Sequence, residues 1–230
     1  MADNSIGIFT EFGHLQEVLV GRAYYPESFD YIKDTELKDM LQKILIETEE
    51  DLQELIKIIE NFGAKVVRPE IPLKLNAGSE AHIFDLQKIE FQYPNHPLMP
   101  RDTLFMYGNK ISEVFTASGG RLLENWAYKK ITSDYFSQGY NVSSMPLPVL
   151  ENGLIYEDYN CTDAILYHAA NMIKCGEHII HSHPTTKDLV WTGKGTENGL
   201  TWMKREYPNA KFIEAPCQGH IDGKMALLKP

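Results

Sequence analysis

Between residues 35 and 62 the apolar positions Leu37, Met40, Leu41, Ile44, Leu45, Leu52, Leu55, Ile56 and Ile59 recur every three or four residues, the stripe of an amphipathic helix packed on a core. Gly63 ends the stripe. Ala64-Lys65-Val66-Val67-Arg68-Pro69 follows, a β-branched run closed by proline that predicts a short strand leaving a sheet. The succession returns twice. A helical stretch from Arg121 to Phe136 leads through Gly139 into Tyr140-Asn141-Val142 and Pro146-Leu147-Pro148, and another from Thr196 to Tyr207 leads into Ala210-Lys211-Phe212-Ile213-Glu214-Ala215-Pro216.

Each helix is expected to follow a hairpin. Thr103-Leu104-Phe105-Met106-Tyr107 and Lys110-Ile111-Ser112-Glu113-Val114 flank Gly108-Asn109, a pair that tolerates the positive φ of a tight turn. Asn171-Met172-Ile173-Lys174-Cys175, Gly176-Glu177 and His178-Ile179-Ile180-His181 repeat that form, and Leu15 to Gly21 supplies a strand to the first unit. The pattern predicts an α/β chain of about three strand-strand-helix-strand units, with the first strand of a fourth beginning at His220.

Composition narrows the function classes. A chain of 230 residues, 43% hydrophobic and 23% charged, can bury a sizeable core as one large domain or two small ones. The start Met1-Ala2-Asp3-Asn4-Ser5 lacks the features of a signal peptide and no run is apolar enough to span a bilayer, so a cytoplasmic protein without a membrane partner is expected. A net charge of -10 with 22 scattered basic residues argues against nucleic-acid binding. The three cysteines, Cys161, Cys175 and Cys217, form no CxxC pair and read as reduced thiols. His178, His181 and His183 with Cys175 lack a second ligand pair at zinc spacing, so no metal site is expected. Gly193-Lys194-Gly195-Thr196 lacks the upstream glycine of a phosphate loop and reads as a turn before Thr196 as helix N-cap, and no cofactor is expected.

The chemistry-bearing residues cluster by position in the repeat. Arg101-Asp102, His168 to Asn171 and His220 to Asp222 each lie at or beside the first strand of a unit, where similar units arranged about an axis would converge on one pocket. On a strand, His220 and Asp222 would share a face, offering a proton shuttle and an anionic clamp for a cationic substrate.

These residues resemble the amidinotransferases of the guanidino-modifying (pentein) superfamily, glycine amidinotransferase most of all. The resemblance is carried by Glu11 to Arg22, Met99-Pro100-Arg101-Asp102, Gly108 to Glu113, Glu124 to Lys129, Asp134-Tyr135-Phe136, Ala169-Ala170-Asn171 leading to Gly176, and Gly219-His220-Ile221-Asp222. It implies a pentein-like α/β propeller of ββαβ units, a cysteine nucleophile that takes the amidino group from arginine, and transfer to a glycine-like amine acceptor. Carried over by position, His220 resembles the catalytic histidine, Asp222 and Asp102 the acids that grip a guanidinium, and Arg101 and His168 belong to the substrate-binding set. His168 stands where the family has an acid, which implies weaker guanidinium binding.

The family's nucleophile lies beyond the HxD motif. By this resemblance the chain is expected to be a single amidinotransferase-like domain over 1–230 that lacks its C-terminal part and that thiol, to leave Met225 to Leu228 as an unpaired apolar edge, and to be inactive and prone to association when alone. Among the cysteines present, Cys217, three residues from His220, is the least improbable substitute. Two other readings stand beside transfer: a guanidino hydrolase, and a non-catalytic fragment or pseudoenzyme that binds a guanidino ligand or a partner chain. Self-association into a homo-oligomer is left open.

Overall fold

The computed structural model describes residues 7–71, 96–115, 121, 124–147, 164–182, 195–217 and 220–227. Cys161, His183, Lys194 and Gly219 lie outside the described residues.

The first long helix, α1 (Thr35–Asn61), starts where the Asp34 carboxylate accepts a hydrogen bond from Leu37 N at 3.0 Å, and it ends before Gly63, whose φ is 86°. It connects two parallel strands, β1 (Glu17–Leu19) and β2 (Lys65–Val67). Leu45 packs with Ala23, Tyr24, Phe29 and Ile71. The apolar stripe is wider than the surface that covers it: Leu45 and Ile56 are buried, while Leu37, Met40, Ile44 and Leu55 stay exposed. The expectation that the whole stripe is core is thus corrected. Among the described residues α1 has its closest neighbours in β2 and the 3-10 turn Pro26–Phe29, too little to cover so broad an arc.

Two further units repeat one topology. In the first of them, β3 (Leu104–Tyr107) and β4 (Lys110–Glu113) form an antiparallel hairpin, and β5 (Asn141–Ser144) returns parallel to β4. In the next, β6 (Met172–Cys175), β7 (His178–Ser182) and β8 (Lys211–Ala215) do the same. The parallel returns need crossovers, supplied by α3 (Lys129–Ser137) and α4 (Glu197–Glu206). Gly108 and Gly176, at φ 60° and 62°, take the left-handed conformation in the two hairpin turns. The helix expected from Arg121 to Phe136 opens instead as a 3-10 turn, Glu124–Tyr128, before α3 begins.

Two strand assignments differ from expectation. No hairpin precedes α1 among the described residues, because the chain at Ile8 to Thr10 leaves the first unit and bridges the other two. Ile8 exchanges hydrogen bonds with Gly108 at 3.0 and 2.9 Å, and Gly176 N donates to Phe9 O at 2.8 Å. Residues 220–227 form no strand: Ile221 to Lys224 is a turn, closed by Met225 N donating to Ile221 O at 2.8 Å. His220 and Asp222 therefore do not share a strand face.

The largest core joins the second and third units. Phe105, Val114 and Met145 pack with Tyr167, Met172, Ile179, Met203 and Tyr207, each burial worth about 1.5–3 kcal/mol for a large apolar side chain. The Tyr207 hydroxyl crosses the seam, donating to Ser112 Oγ at 2.7 Å. No described helix is long and apolar enough to cross a membrane.

Candidate active site

Three turns that precede strands, or stand in the corresponding place, converge at one end of this core. The short helix α2 (Pro100–Thr103), with proline at its start, carries buried Asp102. The 3-10 turn Ala169–Asn171 is preceded by buried His168, whose Nδ1 lies 3.3 Å from Ala170 N. The third is the turn at Ile221 to Lys224. Ile221 N and Asp222 N both point at the Ala170 carbonyl, at 3.2 and 3.4 Å, and Arg101 Nη2 donates to Met172 O at 3.0 Å. The repeat thus becomes a set of cross-linked turns.

The segment ahead of His168 is pinned from both sides. Tyr167 N donates to Phe115 O at 2.9 Å, and Thr196 N donates to Leu166 O at 2.8 Å. Gly199, in the first turn of α4, lies so close that a β-carbon there would sit 1.9 Å from the Leu166 carbonyl oxygen, so α4 can seat this segment only with glycine at that position.

Two arginines organise the acids. Arg121 Nη1 donates to Asp102 Oδ2 at 2.6 Å, while Nε and Nη2 donate to the two carboxylate oxygens of Glu124 at 2.7 and 3.1 Å. Arg101 Nε donates to Asp222 Oδ2 at 3.0 Å, and its Nη1 lies 3.4 Å from Glu11. Glu11 Oε1 in turn receives Lys174 N at 3.1 Å and pairs with Lys174 Nζ at 3.3 Å. Burial would raise the Glu11 pKa, but Lys174 and Arg101 outweigh it and hold the carboxyl below its usual range. Lys174, buried on β6, is itself pushed down by burial against the pull of Glu11.

Two histidines complete the cluster. The rings of His168 and His220 lie 4.1 Å apart, centre to centre, tilted by 33°. His168 Nε2 is 3.1 Å from Arg121 Nη1 and 3.7 Å from Asp102 Oδ2. A guanidinium only donates, so Nε2 is the acceptor here, while Ala170 N–H faces the other ring nitrogen. Burial, followed by His220 and Arg121, pushes the His168 pKa down to about 2, and the ring is neutral. His220 Nε2 is buried with no hydrogen-bond partner among the described residues. Glu124 is pushed up by burial, partly offset by Arg121. Tyr128, wholly buried, is raised by burial and then by Glu124, and its hydroxyl has no partner among the described residues.

Asp102, His168, His220, Asp222 and Arg101, singled out from sequence, thus meet in one cluster. Sequence reasoning missed Arg121, Glu124, Glu11 and Lys174 as members. The three-residue spacing of Arg121 and Glu124 was the one local signal; Glu11 lies 90 positions from Arg101 and gave none. Of the thiols, Cys175 ends β6 beside the hairpin turn, and Cys217 packs near Ile173, Ala215 and Ile221.

No protein-family model matches the chain. It is 25% identical over 252 residues to a putative inosamine-phosphate amidinotransferase of Streptomyces griseus, covering 98% of this chain and 67% of that protein. It is 28% identical over 268 residues to the mitochondrial glycine amidinotransferase of Danio rerio, covering 96% of this chain and 58% of that protein. Among solved structures, an amidinotransferase from Microseira wollei in the saxitoxin biosynthetic pathway superposes with a TM-score of 0.66 at 21% identity, over 94% of this chain and 65% of that one. The inosamine-phosphate amidinotransferase of Streptomyces griseus gives 0.63 at 22% identity, with the same 94% and 65% coverage. The chain spans about two thirds of the length of most of these relatives and less of the Danio protein. In sequence over nearly its whole length, this chain is similar to the amidinotransferases, which are transferase enzymes, and it has their mixed α/β pentein fold.

Proposed function

We propose that this chain is a glycine amidinotransferase-like transferase whose site binds the guanidinium of arginine for transfer of its amidino group to a glycine-like amine. The meeting of Asp102, His168, His220 and Asp222 from three distant turns carries this reading. Asp102 and Asp222 each receive a protein guanidinium on Oδ2, and no described donor bonds either Oδ1. Each can offer that oxygen to a substrate N–H. Arg101, spread over Asp222, Glu11 and the Met172 carbonyl, serves substrate binding by holding Asp222 in place.

His220, whose buried Nε2 has no partner among the described residues, is the proton carrier. A thiolate attacks the guanidinium carbon, and ornithine leaves with a proton from His220. The incoming amine then returns a proton to His220 as it displaces the thiolate from the amidino carbon. The thiol is proposed to be none of Cys161, Cys175 and Cys217, since Cys175 lies at a hairpin turn and Cys217 in an apolar cluster. The proposal extends to units arranged as a propeller about the site, a single domain, cytoplasmic residence and no cofactor.

Incubating the chain with arginine and glycine tests this. Arginine should bind, and ornithine should not appear from this chain alone. Failure to bind arginine would overturn the reading; turnover abolished by Cys217→Ala would move the nucleophile into this chain, and citrulline in place of ornithine would favour hydrolysis.

A further inference from the structure

The Arg121 guanidinium touches Asp102 with a single corner. Its other edge lies side-on against Glu124, Nε to Oε2 at 2.7 Å and Nη2 to Oε1 at 3.1 Å, the fork geometry that best neutralises a guanidinium. The Glu124 side chain is fully buried at 0% exposure, so it is screened little by solvent. Counting formal charges, Asp102 and Glu124 against Arg121 leave one net negative charge. His168 adds none, being held neutral by burial and then by His220 and Arg121. The Arg101 side balances separately: Asp222 and Glu11 against Arg101 and Lys174.

Resting on the guanidino-binding reading, we propose that Glu124 is a positioning residue for the cationic substrate. By neutralising Arg121 it lets that arginine orient Asp102 Oδ2 without cancelling the charge that Asp102 Oδ1 offers to an incoming guanidinium. Arg121 without Glu124 would be a built-in competitor, a guanidinium already seated on the acid meant for another. Glu124 touches no substrate atom in this scheme. It acts through Arg121, and its influence is a matter of charge as much as of packing.

The test is a charge-balance cycle on the full chain. Calorimetry with L-arginine at neutral pH compares the parent with Glu124→Gln and with the double variant Arg121→Gln/Glu124→Gln. Loss of one charge a few ångströms from a buried acid should weaken arginine by about ten- to a hundred-fold in Glu124→Gln. The double variant, with both charges gone and the net negative charge restored, should return to within about three-fold of the parent. A purely structural role predicts the opposite, a double variant at least as impaired as the single. Should Glu124→Gln fail to fold, the double variant alone decides, and a loss of about ten-fold or more there overturns the proposal.

A second readout needs no ligand. In urea unfolding at neutral pH the double variant should lose less stability than the Arg121→Gln and Glu124→Gln losses added together, because the two charges leave as a pair. Additive losses would overturn the proposal. A parent chain that shows this charge coupling yet fails to bind arginine would leave the coupling standing and remove the guanidino reading.

Discussion

Arg121 and Arg101 each give one guanidinium N–H to one carboxylate oxygen of the site, yet their surroundings differ. Arg121 is 17% exposed beside a Glu124 at 0%, whereas Arg101 is 36% exposed, with Asp222 and Glu11 at 29% and 25%. On the Arg121 side a fork holds one fully buried acid and a corner holds another. On the Arg101 side contacts are spread over two acids and the Met172 carbonyl, with Lys174 sharing Glu11. The difference teaches which arm anchors and which adapts. In a dry environment a charge without its partner is costly, so the Arg121 arm is fixed by the penalty of breaking it. Near solvent, water substitutes for a lost partner, so the Arg101 arm can be remodelled at small cost.

The largest effect expected from this contrast is on stability. Arg121→Ala strands the buried Glu124 carboxylate and should cost about 3 kcal/mol in urea unfolding. Arg101→Ala, at a partly solvated position, should cost about 1 kcal/mol or less. Equal losses would erase the distinction between the two arms.

A middle-sized effect comes from His168, which belongs to the Arg121 arm. Its folded-state pKa is pushed down to about 2, so below its unfolded value the unfolded chain takes up a proton that the native chain refuses. The stability it contributes is fully present above the unfolded pKa and is lost as pH falls toward the folded one. Between pH ~6.5 and ~5 this amounts to about 2 kcal/mol. His168→Asn should flatten that acid limb, as read from denaturant midpoints across the range. An unchanged pH profile would mean that the ring is protonated in the native state.

The smallest effect lies on the other arm. Glu11→Gln removes the anion shared by Arg101 and Lys174 and should cost about 1 kcal/mol at neutral pH. Because Glu11 is held below the usual carboxylate range, the difference from the parent should shrink as pH falls through that range and Glu11 itself becomes protonated. A loss exceeding that of Arg121→Ala would invert the comparison.

Local signals carried much of the fold. The three-and-four stripe bounded by Gly63 marked α1, Gly108-Asn109 and Gly176-Glu177 marked two hairpins, and Thr196 marked the start of α4, whose Oγ1 accepts from Gly199 N at 3.0 Å. These are determined within a few residues, by backbone conformation and side-chain period, and can be read without knowing what lies across the core. The repeat of those signals also indicated which polar motifs would sit at equivalent places.

What the sequence by itself determined, then, is the order of strands and helices in the second and third units and the identity of Asp102, His168, His220 and Asp222 as residues set at matching points. The tertiary structure alone decided that Ile8 to Thr10 bridges two units and builds no hairpin for the first among the described residues, and that Asp222 stands in, and His220 just before, a turn docked on the Ala170 carbonyl. It also decided how much of the α1 stripe is covered, that Arg121 binds Asp102, and that Glu11 binds Arg101. Such facts depend on groups 19 to 121 positions apart, as between Arg121 and Asp102 and between Arg101 and Asp222. A carboxylate's partner is whichever cation the packed chain brings within about 3 Å, and that distance is set by the fold as a whole rather than by the residues beside it.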